Sequence, residues 1–174
     1  MIKIIKLSEY DELISSRIRT LLIQLSRSGK DKGEIPREWF EQIISSPWHD
    51  LLLAIEVVNQ DEFLKSPSEK DTPVKEQDAM FSADQILGMA TISVIFGAGI
   101  GKNAYLEDFV VDIAARGKGI GGLLFQAYED WAKEKGCKNL EFTCGHGRET
   151  AQAFYKSHGA KNYDTNFFRK KLDN

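Results

Sequence analysis

The stretch from Tyr105 to Leu124, YLEDFVVDIAARGKGIGGLL, constrains this chain more than any other. It starts as a strand, tightens into a glycine-rich turn and leaves as a helix. Tyr105, Leu106, Phe109, Val110 and Val111 are strand-forming apolar positions around two adjacent carboxylates, Glu107 and Asp108. The turn holds Arg116, Gly117, Lys118, Gly119, Ile120, Gly121 and Gly122. A backbone poor in Cβ atoms at the start of a helix is an anion site. The first helical N–H groups lack internal partners, and the macrodipole adds roughly half a positive charge there.

The rest of the chain supplies elements around that passage. Ile2, Ile4 and Ile5 suit a short strand, and Ser8 offers an N-cap for a helix over 9–26. Ile14, Ile18, Leu21, Leu22 and Leu25 recur there at helical spacing. Residues 26–34 are polar, with two glycines, and read as a loop. Pro36 suits the first position of a second helix, with Trp39, Phe40, Ile43 and Ile44 as its apolar stripe and Pro47 as its stop. LLLAIEVV, residues 51–58, is a buried central strand. Residues 59–84 turn charged and polar and are expected to form an inserted mobile loop between strands. A strand over 86–96 and a turn at residues 97–101 lead into the opening stretch.

Beyond it, Leu123, Leu124, Ala127, Tyr128, Trp131 and Ala132 mark one helix face, which Gly136 caps. Leu140, Phe142 and Cys144 alternate as in a half-buried strand. A helix over 149–157 and a closing strand over 167–172 complete one domain of 174 residues, with no internal repeat.

Two nucleotide motifs compete for the glycine turn. GKGIGG satisfies G-x-G-x-x-G, and Glu141 stands near the distance at which a dinucleotide site wants an acidic ribose ligand. That fingerprint follows the first strand of a βαβ unit, whereas here a meander of three strands precedes the turn. Asp112, Ile113, Ala114 and Ala115 also make the strand-to-helix loop long for it. A P-loop is excluded, because no Gly-Lys-Ser/Thr ending exists. The other pattern is Arg116-x-x-Gly119-x-Gly121 after a Val-Val-Asp strand end.

With FYKSHGA at residues 154–160, that pattern resembles the GNAT acetyltransferase superfamily. YLEDFVV and FYKSHGA look most like its spermidine/spermine branch. The resemblance is strong over 88–159, and residues 59–84 have no counterpart in it. It implies an α/β fold with a mixed, mostly antiparallel sheet of six or seven strands and about four helices. It implies acetyl-CoA as cosubstrate, with Arg116 and the turn from Gly117 to Gly122 on its phosphates. In the family, the pantetheine arm pairs with the main chain of Phe109 and Val111, and the Phe109 or Val110 N–H polarises the thioester carbonyl. Arg148 stands where relatives carry Asn, so the Asn role is not transferred; an Arg there is a candidate for a CoA phosphate.

The implied reaction moves acetyl directly to a primary amine. Such an amine, with a pKa near 10.4, is neutral in about 1 of 2,500 molecules at pH 7, a penalty of roughly 4.6 kcal/mol. A carboxylate that takes the proton removes part of it. Plain alternation sets Glu107 on one side of its strand with Phe109 and Val111, and Asp108 with Val110 on the other. The resemblance makes Glu107 the base and Tyr155 the acid for the departing thiolate. Asp108 is then a candidate for binding a cationic substrate. Trp39 and Phe40 suit core packing, but if their helix walls the acceptor pocket, Trp39 is a substrate contact. The expected acceptor is a small polyamine-like amine or an amino sugar, with a protein or peptide amine as the alternative. A different class of reading is a non-catalytic acyl-CoA-binding module.

Charge and composition narrow the field. A net charge of −3 gives no basic footprint for nucleic acid. No apolar run reaches the ~18 residues of a membrane span. The amino-terminal residues turn acidic within a dozen positions, so a cytoplasmic protein is expected. Cys137 and Cys144 do not form a disulfide framework, and His49, His146 and His158 are scattered, so no metal is expected. A homodimer is expected from the resemblance alone.

Overall fold

The computed structural model describes residues 1–26, 28–57 and 81–172. They fall into two compact units, Met1–Phe142 and Thr143–Asn174.

The first unit is a five-stranded sheet in the order β1 to β5: Ile2–Lys6, His49–Glu56, Ile86–Gly97, Gly101–Val111 and Asn139–Phe142. The first three pairings are antiparallel, and β4 with β5 is parallel. A parallel pair needs a crossover, which the helix α3, Ile120–Glu134, supplies. Helices α1, Glu12–Leu25, and α2, Arg37–Ser45, come between β1 and β2.

The α/β class and mixed sheet match expectation, but the strand count does not. No strand forms over 167–172, where Phe167, Phe168 and Leu172 stand exposed, and five strands are present among the described residues. Strand β5 also stops at Phe142, before Cys144. Helix α1 starts later than Ser8 suggested. Asp11 is its N-cap, accepting from the Ile14 N–H at 2.8 Å. Pro36 sits at the N-cap of α2, just ahead of the first helical residue. The expected insertion lies mostly outside the described residues. Its last part is ordered: Ser82 caps a short 3-10 turn, Ala83–Gln85, and the Gln85 amide donates to the Glu56 carbonyl at 2.8 Å.

The two faces of the sheet are built differently. Leu51, Leu53, Ile55, Met89 and Val110 pack against Ile18 and Leu21 of α1 and Phe40 of α2. The opposite face is lined with small residues, including Ala54, Gly88 and Ala90. They leave room for Leu124, Phe125, Tyr128 and Trp131 of α3, all buried. Phe125, rather than the exposed Leu123, completes the buried stripe of that helix. A Cβ on Gly88 would stand 2.9 Å from the Val110 carbonyl oxygen and 3.1 Å from Leu124 Cδ1, so the approach requires glycine.

The second unit contains α4, Glu149–Ser157. Gln152 donates to the Gly145 carbonyl at 2.9 Å, tying the helix to the turn before it. At its exit the Phe154 and His158 rings lie 4.2 Å apart.

Candidate active site

Strand β4 is not regular. Asp108 pairs with Thr91 and Leu106 with Ile92, so Glu107 is an extra residue, a β-bulge. One extra residue reverses the alternation beyond it. Phe109 and Val111 face α3, as the 6.3 Å contact of the Phe109 and Phe125 rings shows, whereas Asp108 and Val110 face α1 and α2. The expectation that Glu107 shares a regular strand face with Phe109 and Val111 is therefore corrected. Bulges bend a strand and re-aim its side chains, and this one sits at the paired carboxylates.

Asp108 lines a cavity of about 450 Å³ between α1, α2 and the sheet. Trp39, which is 58% exposed, Ser26 and residues 30–35 also line it. Burial pushes the Asp108 carboxyl above its usual range, against the opposing pull of the Thr91 hydroxyl and the Lys32 ammonium. Burial also raises Glu107; the neighbouring Asp108 charge adds to this and His49 opposes it. Both carboxyls are thus held above their ordinary range, and such perturbed groups gather at functional sites.

Strands β4 and β5 pair from Asn103–Asn139 to Leu106–Phe142, where β5 ends. The bulged half of β4 lies beyond the last of these pairs. That half carries Phe109, Val110 and Val111, the main-chain positions expected to meet a pantetheine arm.

The exit of β4 is clamped to α1. Arg17 donates to the Ile86 carbonyl at 2.7 Å and to Asp112 at 2.6 Å. Gln24 accepts from the Ile113 N–H at 2.9 Å, and Asp112 accepts from the Ala114 N–H at 2.9 Å. Burial raises Asp112, but the Ala114 N–H, Arg17 and Gln24 together outweigh it and hold the carboxyl below its usual range. Sequence reading missed Arg17 and Gln24. Their signal was two polar residues seven apart on an otherwise apolar helix face.

The turn then runs exposed through Arg116, Gly117, Lys118 and Gly119. Gly117 and Gly119 have φ of 78° and 79°, the left-handed region that a side chain disfavours. Gly119 is the N-cap of α3, so the N–H groups of Ile120, Gly121 and Gly122 fall in its first turn, where intrahelical acceptors are lacking. Arg116 Nε donates to the Val111 carbonyl at 3.1 Å and so braces the loop from within.

In the second unit, Arg148 occupies the N-cap of α4, and Tyr155 lies on the same helix. Burial pushes the Tyr155 phenol up to about 12; Cys144 adds to this, and Arg148 opposes it. Among the described residues, no group of three His, Cys, Asp or Glu is arranged to hold a metal, and no helix is long and apolar enough to cross a membrane.

Comparison with known proteins gives the family. Thialysine N-epsilon-acetyltransferase of Bos taurus is 36% identical over 61 residues, which cover 35% of this chain and 36% of that protein. The Sus scrofa protein of the same name is 30% identical over 76 residues, 44% and 45% of the two chains. The chain thus aligns with less than half the length of these curated relatives. An aminoglycoside acetyltransferase from an uncultured soil metagenomic sample, solved with sisomicin, superposes with a TM-score of 0.70 at 18% identity, over 98% of this chain and 97% of the other. Glucosamine-6-phosphate N-acetyltransferase from Arabidopsis thaliana gives 0.67 at 23% identity, over 99% of each. Identities this low speak for the fold. The model of the acetyltransferase (GNAT) family matches residues 34–160, which take in α2, the bulged strand, the glycine turn and α4. The chain belongs to the GNAT acetyltransferase family.

Proposed function

We propose that the protein is an N-acetyltransferase that moves the acetyl group of acetyl-CoA directly to a primary amine. The observation that carries this reading is the bulge in β4, which brings two carboxyls of raised pKa together beside a cavity of about 450 Å³. Asp108, inside the cavity, holds the ammonium form of the acceptor. Glu107, more exposed and next to it, takes the proton directly or through water, and the free amine attacks the thioester carbonyl. The Phe109 or Val110 N–H steadies the oxygen that gains charge.

Acetyl-CoA supplies the acyl group and a thiolate leaving group. Arg116, Lys118 and the first N–H groups of α3 hold its phosphates, and Arg148 is a further candidate for them. Tyr155 protonates the departing sulfur. With its pKa near 12, the phenol keeps its proton throughout the neutral range. Homodimerisation rests on the family resemblance alone.

The test is release of free thiol from acetyl-CoA in the presence of single amines. Thiol formed in proportion to an N-acetyl amine supports the reading. Acetyl-CoA binding with no thiol from any primary amine overturns it in favour of a non-catalytic acyl-CoA-binding module. Tyr155→Phe carries a separate expectation. A thiolate is already a fair leaving group, so the loss of kcat should be modest for an acid catalyst, about 10- to 100-fold, with acetyl-CoA affinity unchanged. Unaltered turnover removes Tyr155 from the mechanism.

A further inference from the structure

The lining of the cavity says more about the acceptor than the family does. Its walls are apolar: Ile18 and Leu22 of α1, Trp39 and Phe40 of α2, Leu51 of β2 and Met89 of β3. Thr91 and Asp108 are the polar side chains that the sheet contributes. The other charged groups come from α1 and the connection after it: Arg19, Lys30, Asp31, Lys32 and Glu34.

Those charges do not favour a polycation. Asp31 is engaged on both oxygens by the Arg19 guanidinium. Glu34 lies within electrostatic reach of the same arginine. Lys30 and Lys32 add two positive charges to the lining, and Lys32 acts on Asp108 itself. A spermidine-like amine would bring a second and third ammonium past apolar walls to carboxylates already opposed by cations. An amino sugar would place a shell of hydroxyls against Ile18, Leu22 and Met89, and each hydroxyl left without a partner there weakens binding.

We propose that the acceptor is a primary amine with one positive charge on an apolar body, an alkyl- or aryl-alkylamine. Its ammonium meets Asp108, and its hydrocarbon lies against Trp39 and the α1 wall. This rests on reading the cavity as the acceptor site, and the polyamine-like or amino-sugar acceptor expected from sequence is the alternative that the experiment decides.

The experiment compares 2-phenylethylamine, hexylamine, spermidine and glucosamine, by thiol release and by calorimetric titration of the protein without acetyl-CoA. The expected result is a kcat/KM at least tenfold higher for the two apolar amines than for spermidine or glucosamine. Trp39→Ala should cut kcat/KM for 2-phenylethylamine about tenfold, a larger loss than for glucosamine. Because Trp39 is largely exposed, that variant should fold. Equal or better turnover of spermidine or glucosamine overturns the inference while leaving acetyl transfer intact. If no amine releases thiol, calorimetry separates the two ideas. Tighter binding of apolar amines then supports the cavity's preference and defeats acetyl transfer, and absence of any such preference defeats both.

Discussion

Replacing Glu107 with Gln should lower kcat by about 10²–10³-fold while acetyl-CoA still binds, the loss expected when a positioned base is removed. Gln keeps the size and polarity of the side chain, so the bulge has no steric reason to rearrange. Two further signatures separate a lost base from a damaged fold. In the wild type, kcat/KM should fall on the acid side with a midpoint above the ordinary carboxylate range, because burial and the Asp108 charge both raise Glu107. That limb should vanish in Glu107→Gln, and in Asp108→Asn it should move to lower pH as the neighbouring charge disappears. The second signature is stability. A carboxyl whose pKa is raised by folding favours the native state below its unfolded pKa, and that advantage is lost as pH rises through the folded pKa. At pH 7 Glu107→Gln should therefore unfold at the same or a higher temperature than the wild type, a gap that closes in acid. Full activity of the variant across this range would take the base role away from Glu107.

That prediction also shows where sequence stops being readable. The glycine turn was legible because its requirement is local. Positive φ at Gly117 and Gly119 needs glycine whatever surrounds it, and the turn must precede a helix to present its N–H groups. The apolar run of β2 was legible because a strand covered on both faces is apolar along most of its length. The bulge was not. Strand periodicity assigns faces by counting in twos, and nothing in YLEDFVV marks Glu107 as the extra residue; only the pairing with Thr91 and Ile92 does. The cavity was half legible, since Trp39 and Asp108 stood out as candidate acceptor contacts but Thr91 and Met89 reach it from a strand far away in the chain. The closing strand failed for a related reason. Phe167, Phe168 and Leu172 have strand composition, but a strand needs a neighbour with open hydrogen bonds, which composition cannot report. Ser8 lost the α1 cap to Asp11 because both precede the same apolar stripe, and the choice lies in backbone geometry.

A buried polar residue not expected from sequence should also cost substantial stability when lost. Asp50 stands near the start of β2, just ahead of its apolar run, yet is only 2% exposed. It sits on the face of β2 that meets α3, where Trp131 Nε1 donates to Asp50 Oδ2 at 2.6 Å and Lys6 Nζ approaches Oδ1 at 2.6 Å. Asp50→Ala removes a hydrogen bond to a charged acceptor, worth about 1.5–3 kcal/mol, and leaves the indole N–H buried without it. The Lys6 side chain is 52% exposed, so its share is discounted to the range of a surface pair, about 0–1 kcal/mol. Together these give roughly 3 kcal/mol, or about 6–12 °C in melting temperature for a chain of this size. Asp50→Asn keeps an acceptor for Trp131 and should lose less than half as much. Lys6→Met should fall between Asn and Ala, since it strips the counter-charge from a buried carboxylate but spares the indole bond. The consequence reaches the cosubstrate site, because α3 starts at the glycine turn and Trp131 anchors its far end to the sheet. Asp50→Ala should therefore also raise KM for acetyl-CoA severalfold, and Asp50→Asn should not. If Ala and Asn melt within 1 °C of each other, the Trp131 bond carries no stability and α3 is held by its apolar face alone.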